Sequence, residues 1–361
     1  MFPISIPVAA RDGDYVVQVA PGIRTRLAAA LDLAGLPGRR VLVTSPRVWA
    51  AQGRHVRNVG RGTTRLVVAD GERAKTPRTV DRVYDGLIDA GADRGAIVVA
   101  LGGGVLGDLV GFAAATYMRG VRLVQVPTTL MAQVDSAIGG KVGVNHPRGK
   151  NLIGAFHPPR VVLVDPEALA TLPPREFRAG LYEVIKYGVI ADAALLDQLD
   201  AGLDAVLTQR GDALAEMVTT CCRIKAGVVS SDEREGGLRR ILNFGHTAGH
   251  ALEAAAGYRR LRHGEAVGHG MRVALALGVA RGVTPPEVAA RAGALIDRLG
   301  PLPPVAGLRR ADVLAAVGRD KKVVDRTLHF IAATGLGATT TLTDVSRREL
   351  NEALAAIGVR R

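Results

Sequence analysis

Two histidines stand four residues apart in Asn243-Phe244-Gly245-His246-Thr247-Ala248-Gly249-His250. On a helix that spacing puts both rings on one face. His263 follows after a short basic loop, and Glu183 lies in Leu181-Tyr182-Glu183-Val184-Ile185-Lys186-Tyr187-Gly188. One carboxylate and two imidazoles make a three-ligand set that leaves a position open for water or substrate, the pattern of a catalytic zinc. Glu183, His246 and His263 are the expected metal ligands, which leaves His250 for acid–base work. Ligation by His246 and His250 together is ranked lower, because no glutamate stands between them as in H-E-x-x-H. His55, His146, His157, His269 and His329 are read as structural or surface residues.

A second chemical feature is the run Gly102-Gly103-Gly104-Val105-Leu106-Gly107-Asp108, which follows the apolar stretch 96–101. It has the form G-x-G-x-x-G. Such a turn lets a pyrophosphate approach backbone N–H groups at a helix start. The acidic residue that normally ends the next strand and holds a ribose is absent from 121–127. The ribose contact is therefore sought at Gly71-Glu72 and Lys75. The basic residues add a third signal: of 47, only seven are lysines, at 75, 141, 150, 186, 225, 321 and 322. A chain that draws its general positive charge from arginine keeps lysine where a compact ammonium is needed, as in a pocket for phosphate and carboxylate.

These residues need a scaffold. Apolar segments at 40–44, 64–69, 96–101, 122–127 and 160–165 read as strands, with helical patterns at 76–90 and 106–117 between them. That alternation predicts an α/β N-terminal domain with a Rossmann-like, largely parallel sheet. After Thr171-Leu172-Pro173-Pro174 the texture turns helical, at 192–207, 212–229, 264–280 and 286–299. Two possible strands return, at 328–332 and 338–342. The expected division is 1–173 for the α/β domain and 174–361 for a mainly α-helical domain.

Composition narrows the classes. The chain has 361 residues, 48% hydrophobic and 22% charged, which excludes a disordered chain or a disulfide scaffold. No apolar run is long enough to span a membrane, and 1–5 lacks a basic leader region. Cys221 and Cys222 are adjacent and suit a reducing cytoplasm. The net charge of +13 invites nucleic acid, but only 4% of residues are aromatic and the arginines are scattered. A basic surface with a small anionic substrate, and no nucleic acid, is the expectation.

In this order the pieces resemble 3-dehydroquinate synthases, members of the sugar-phosphate cyclase family. The likeness rests on Gly102–Asp108, Gly111-Phe112 with Arg119-Gly120, Pro127-Thr128-Thr129-Leu130, Gln133-Val134-Asp135-Ser136 and Gly139-Gly140-Lys141. It continues through Gly149-Lys150-Asn151, Gly154-Ala155-Phe156-His157, Glu183-x-x-Lys186-Tyr187-Gly188, Lys225, Asp232-Glu233-x-Glu235 and Leu242–Thr247. The resemblance implies a dehydroquinate-synthase-like fold and a sugar-phosphate substrate, 3-deoxy-D-arabino-heptulosonate 7-phosphate. It implies transient oxidation of a hydroxyl by bound NAD, β-elimination of phosphate, re-reduction, ring opening and an intramolecular aldol closure. It further implies zinc, or cobalt in its place, and a cytoplasmic homodimer.

By the same resemblance His250, Lys141, Lys186, Asn243 and Glu235 are catalytic. Lys141, Asn151, Lys186 and His250 surround the phosphate, with Arg119 arriving from a second subunit. Lys225, Arg239 and Asn243 hold the carboxylate end, Asp135 and Glu235 order the hydroxyls and the cations, and Lys322, in preference to Lys321, adds a late substrate contact. NAD is met by Glu72 and Lys75 at the ribose, by Gly103, Gly104, Val105 and Asp108 at the pyrophosphate, and by Thr128, Thr129, Lys150 and Thr171 around it. The chain departs from the family pattern at Ser45-Pro46-Arg47, where an Asp or Asn is common, at Val142 in place of Thr, and at Pro158 in place of Gln. Arg47 would attract the extra phosphate of NADP, yet NAD preference is expected to survive through Glu72. Cyclases acting on sedoheptulose 7-phosphate or glucose 6-phosphate are the nearest rivals, and Arg239 with the Lys225 region discriminates, because those substrates lack a carboxylate. Metal-dependent alcohol dehydrogenases form the other enzyme class and would accumulate NADH.

Overall fold

The structure is a computed structural model, and it describes residues 3–56, 59–60, 62–318, 323–324 and 327–360. Its strands are β1 (Ile4–Val8), β2 (Tyr15–Val19), β3 (Arg40–Thr44), β4 (Thr64–Val67), β5 (Ile97–Gly102), β6 (Arg122–Pro127), β7 (Lys141–His146), β8 (Gly149–Phe156), β9 (Val161–Val164), β10 (Val323–Val324), β11 (Thr327–Leu328), β12 (Phe330–Gly335) and β13 (Ala338–Leu342). The helices are α1 (Leu27–Leu33), α2 (Pro46–Gln52), α3 (Pro77–Asp89), α4 (Gly104–Thr116), α5 (Pro174–Ile190), α6 (Ala193–Leu207), α7 (Asp212–Ser231), α8 (His246–Ala255), α9 (His263–Ala280), α10 (Pro286–Arg298), α11 (Arg310–Val317) and α12 (Arg347–Ala356).

The chain forms two compact units, one of Met1–Pro173 with Asp204–Glu233, the other of Pro174–Leu203 with Arg234–Arg361. The first is built on a seven-stranded sheet in the order β1-β2-β9-β6-β5-β3-β4. All its pairs are parallel except β1 with β2. The expected largely parallel sheet is present. Both of its faces are covered, which is why its central strands read as unbroken apolar runs. Val41, Val43, Val98, Ala100 and Leu123 share one core with Val83 and Leu87 of α3 and Leu109 and Val110 of α4. Leu42, Val99, Leu101, Val124 and Leu163 share the opposite core with Ile23, Leu27 and Leu31. The antiparallel hairpin β7–β8 stands apart from this sheet. Helix α7, although it lies beyond Pro173, packs in this unit against β1 and the 132–136 turn. It buries Cys221 and Cys222 as free thiols, and burial pushes the Cys222 thiol up to about 12, so it is unreactive there.

The second unit is mainly helical, with α5 nearly buried all round from Phe177 to Ile190. Helices α8, α9, α11 and α12 and strand β12 enclose a core that includes Leu252, Val273, Leu277, Val313, Phe330, Leu350 and Leu354. The strand predicted at 338–342 forms β13 and pairs antiparallel with β12.

Each unit carries a histidine drawn out of water, partly for His157 and fully for His269, whose ring has one backbone partner. His157 Nε2 lies 2.9 Å from the Val121 carbonyl, and His269 Nε2 lies 2.9 Å from that of Pro303. Burial holds both rings below the ordinary histidine value of 6.5. Protonating His269 would add an N–H at Nδ1, a buried atom with no hydrogen-bond partner. The unfolded chain protonates these rings near their ordinary value and the folded chain resists. The stability they contribute is therefore complete above that value and is lost as pH falls below it. The urea midpoint is expected to drop between about pH 7 and pH 5, and His269→Gln to flatten that slope. An unchanged slope in the variant would contradict the assignment.

Candidate active site

The parallel sheet itself locates a nucleotide site. The chain runs from β3 outward to β4, then returns to the other side of β3 as β5. The strand order thus reverses between β3 and β5, and α/β sheets bind ligands outside the carboxyl ends of the strands at such a point. Ser45 follows β3 there, and Gly103-Gly104 follow β5. Gly103 is the N-cap of α4 and offers no side-chain cap, so the first N–H groups of the helix are left for a ligand. A Cβ on Gly104 would lie 2.5 Å from Ser136 Oγ, and one on Gly103 would lie 3.0 Å from Thr129 Cγ2. A side chain at either position would press on Ser136 or Thr129. Val105 sits in the first turn of α4, and the Thr128 N–H donates to Gly102 O at 2.9 Å, tying the ends of β5 and β6 together. Thr171 accepts from Gln52 Nε2 at 2.6 Å.

Around this turn stands a polar cluster. Lys75, 3% exposed, donates to Asp108 Oδ2 at 2.6 Å and to Asn151 Oδ1 at 2.5 Å. Burial raises the Asp108 carboxyl above its ordinary value, and Lys75 opposes that rise. Glu72 Oε1 accepts from Asn145 Nδ2 at 2.7 Å and lies 4.0 Å from Lys150 Nζ. The β7–β8 hairpin thus brings Asn145, Lys150 and Asn151 to the Glu72–Lys75 segment. Gly143-Val144-Asn145 is part of the family likeness, but Asn145 drew no role from the sequence; its place opposite Gly149 to Asn151 was the available signal. In the same unit Lys225 of α7 donates to Asp135 Oδ1 at 2.5 Å.

The second unit holds the expected metal ligands together. Glu183 is 0% exposed, and its Oε1 lies 3.5 Å from His246 Nε2 and 3.7 Å from His263 Nε2. Neither buried carboxylate oxygen has a hydrogen bond, although Oε2 forms an ion pair with the Lys186 ammonium one turn on. A buried carboxylate so placed, facing two imidazole nitrogens, fits a divalent cation. His250 joins the group: ligand atoms of His246, His250 and His263 all lie within 4.8 Å of one another. His246 Nδ1 is 3.1 Å from Phe244 O, and His263 Nδ1 is 3.1 Å from Glu253 Oε2. With both Nδ1 atoms engaged, both Nε2 atoms face Glu183. Glu183, His246, His250 and His263 thus converge on one place. Glu253 escaped the sequence reading, though its spacing three residues after His250 on one helix face was a usable signal.

Glycine brings the ligand helices this close. Gly245, at φ 75°, turns the chain into α8. A Cβ on Gly264, next to His263, would lie 1.7 Å from Ala179 O of α5.

The remaining expected residues divide between the units. Lys141 and Asn151 belong to the first, Lys186 and His250 to the second. Asn243 Nδ2 donates to Glu235 Oε1 at 2.5 Å, and Arg239 is buried. Arg119, Asn151 and Glu235 all hold left-handed backbone, at φ 69°, 52° and 63°, a conformation that non-glycine residues rarely adopt and that gathers at functional sites. Lys321 and Lys322 lie outside the described residues.

Two family profiles cover most of the chain: 3-dehydroquinate synthase N-terminal over residues 65–179 and 3-dehydroquinate synthase C-terminal over residues 180–323. A 3-dehydroquinate synthase of Synechococcus sp. is 45% identical over 98% of this chain and 99% of its own length. One of Pelobacter propionicus is 49% identical over 84% of this chain and 86% of its own. Among solved structures, a 2-epi-5-epi-valiolone synthase of Streptomyces hygroscopicus subsp. jinggangensis 5008, with NAD+ and Zn2+ bound, is 33% identical at TM-score 0.86, covering 97% of this chain and 98% of that one. A 2-deoxy-scyllo-inosose synthase complexed with carbaglucose-6-phosphate, NAD+ and Co2+ is 25% identical at TM-score 0.84, covering 97% and 99%.

Proposed function

The chain belongs to the 3-dehydroquinate synthase family, and from that premise we infer that it converts 3-deoxy-D-arabino-heptulosonate 7-phosphate to 3-dehydroquinate and inorganic phosphate. The observation that carries this reading is Glu183 buried against the Nε2 atoms of His246 and His263 in a chain of that family. Atoms balance with no net oxidation, so the enzyme is a carbon–oxygen lyase that regenerates its nicotinamide. NAD supplies a reversible hydride acceptor, and the divalent metal, zinc or alternatively cobalt, supplies a Lewis acid for the reacting hydroxyl.

The chain's own groups do the rest. Glu183, His246 and His263 would hold the metal. Glu72, Lys75, Gly103, Gly104, Val105, Asp108, Thr128, Thr129, Lys150 and Thr171 would hold NAD. His250 accepts the hydroxyl proton. Lys141, Asn151 and Lys186 would bind the phosphate, and Lys225, Arg239 and Asn243 the carboxylate end. Asp135 and Glu235 pair with Lys225 and Asn243 and fix their positions. The working form is a cytoplasmic homodimer in which Arg119 of one copy serves the site of the other.

The test is incubation with the heptulosonate phosphate and NAD, before and after chelation. The expected result is stoichiometric phosphate, no accumulated NADH, and activity lost with the metal. Accumulating NADH would favour a dehydrogenase. Turnover of sedoheptulose 7-phosphate instead would assign the chain to the carboxylate-free cyclases.

Cofactor choice gives a further expectation. Arg47 lies 3.5 Å from Asp70, a carboxylate just before Gly71-Glu72, so the charge that would draw the extra phosphate of NADP is already faced. The chain is expected to prefer NAD, with Asp70→Asn narrowing the gap roughly two- to five-fold, the worth of an exposed ion pair. Equal binding of both nucleotides to the unaltered chain, measured by titration, would refute the preference.

A further inference from the structure

We propose that Glu253 is a positioning residue for the metal centre, fixing the ring of His263 so that Nε2 is presented for ligation; this rests on the metal reading above. Helix α8 starts at His246, and His246, His250 and Glu253 fall at i, i+4 and i+7 on one face. Helix α9 starts at His263. The last turn of α8 meets the start of α9, where Glu253 Oε2 lies 3.1 Å from His263 Nδ1.

Burial and exposure give this contact its meaning. The Glu253 side chain is 5% exposed, and that of His263 is 35% exposed. A buried carboxylate is retained where a cation or a donor N–H compensates its lost hydration. A half-exposed ring needs an anchor to keep one orientation. His246, more deeply set, is anchored by a neutral carbonyl, that of Phe244. His263 has the charged acceptor. An Nδ1–H donated to Glu253 leaves the proton off Nε2, which lies 3.7 Å from Glu183 Oε1. The carboxylate also makes the ring a stronger electron-pair donor, the role of carboxylates behind metal-bound histidines.

The test uses zinc and the full chain. Zinc affinity is read by competition with a chromophoric chelator for the unaltered chain, Glu253→Gln and His246→Ala, with thermal melting of each metal-free form as a folding control. Glu253→Gln is expected to melt like the unaltered chain and to bind zinc about 10- to 100-fold more weakly. Wild-type zinc affinity in Glu253→Gln, together with loss in His246→Ala, would overturn the proposal and leave the metal reading standing. Zinc retained in His246→Ala would sink the metal reading itself. A measurement on the unaltered chain covers the case in which the variants misfold. Ring nitrogen NMR of the metal-free chain at alkaline pH is expected to show His263 protonated at Nδ1, and a proton at Nε2 would overturn the proposal.

Discussion

Glu183→Gln is expected to strip the divalent metal from the second unit and to lower kcat by about three orders of magnitude. A Lewis acid at a reacting oxygen supplies several kcal/mol, and about 4 kcal/mol corresponds to a thousandfold in rate. The amide keeps the shape of the carboxylate and loses its charge. It also leaves the Lys186 ammonium, 1% exposed, without its anion. Removing one member of a buried pair costs about 3–5 kcal/mol. The variant should therefore be less stable as well as inactive. Adding Lys186→Met should recover most of the stability and none of the zinc. Metal content per chain, phosphate release and a denaturant titration separate the two effects. Retention of zinc at wild-type affinity in Glu183→Gln would remove Glu183 from the ligand set.

Gly264→Ala carries the second large effect through one methyl group. Its Cβ would meet the Ala179 carbonyl oxygen at 1.7 Å, and Ala179 lies one turn before Glu183 on α5. A clash with backbone is not relieved by changing rotamers, so α9 must retreat from α5 and carry His263 away from Glu183. The expected cost is about 3 kcal/mol, at the upper end for overpacking. Zinc affinity should fall more than about tenfold, the order seen when support for a ligand is lost. Gly293→Ala on α10 is the control, since a Cβ there meets nothing within 4 Å. It should be neutral or stabilising by up to about 1 kcal/mol through helix propensity. Equal denaturation midpoints and zinc affinities for the two variants would contradict the close-packing account.

What could be read from the sequence followed the physics of each signal. The strands β3, β5, β6 and β9 were legible because burial on both faces makes them continuous apolar runs. Strand β1 was not: Pro7 interrupts Ile4-Ser5-Ile6-Pro7-Val8, and a short edge strand shows little pattern. The hairpin β7–β8 was also missed: β7 sets Val142 and Val144 into the core, but Gly143 and Asn145 break its apolar run, and β8 is half-buried to exposed throughout. Its chemical weight was legible in Lys141 and Lys150, two of only seven lysines, while Asn151 was marked by the resemblance alone. Glu183, His246 and His263 were legible from residue type, yet their convergence depends on glycine contacts between helices, which one sequence does not display. Helix periodicity shows that α7 buries one face and does not show against what. For that reason a boundary at Pro173 left unread the membership of Asp204–Glu233 in the first unit.

That membership bears on how the chain is made. All seven strands of the large sheet have left the ribosome once Val164 is out, but the helix that lies over β1 and the 132–136 turn ends at Ser231. Until then the early half of the nascent polypeptide waits with that surface bare, and the first thirty residues of the helical segment emerge before it can close. The two lobes are thus interleaved in synthesis: neither can be finished by translating one continuous stretch.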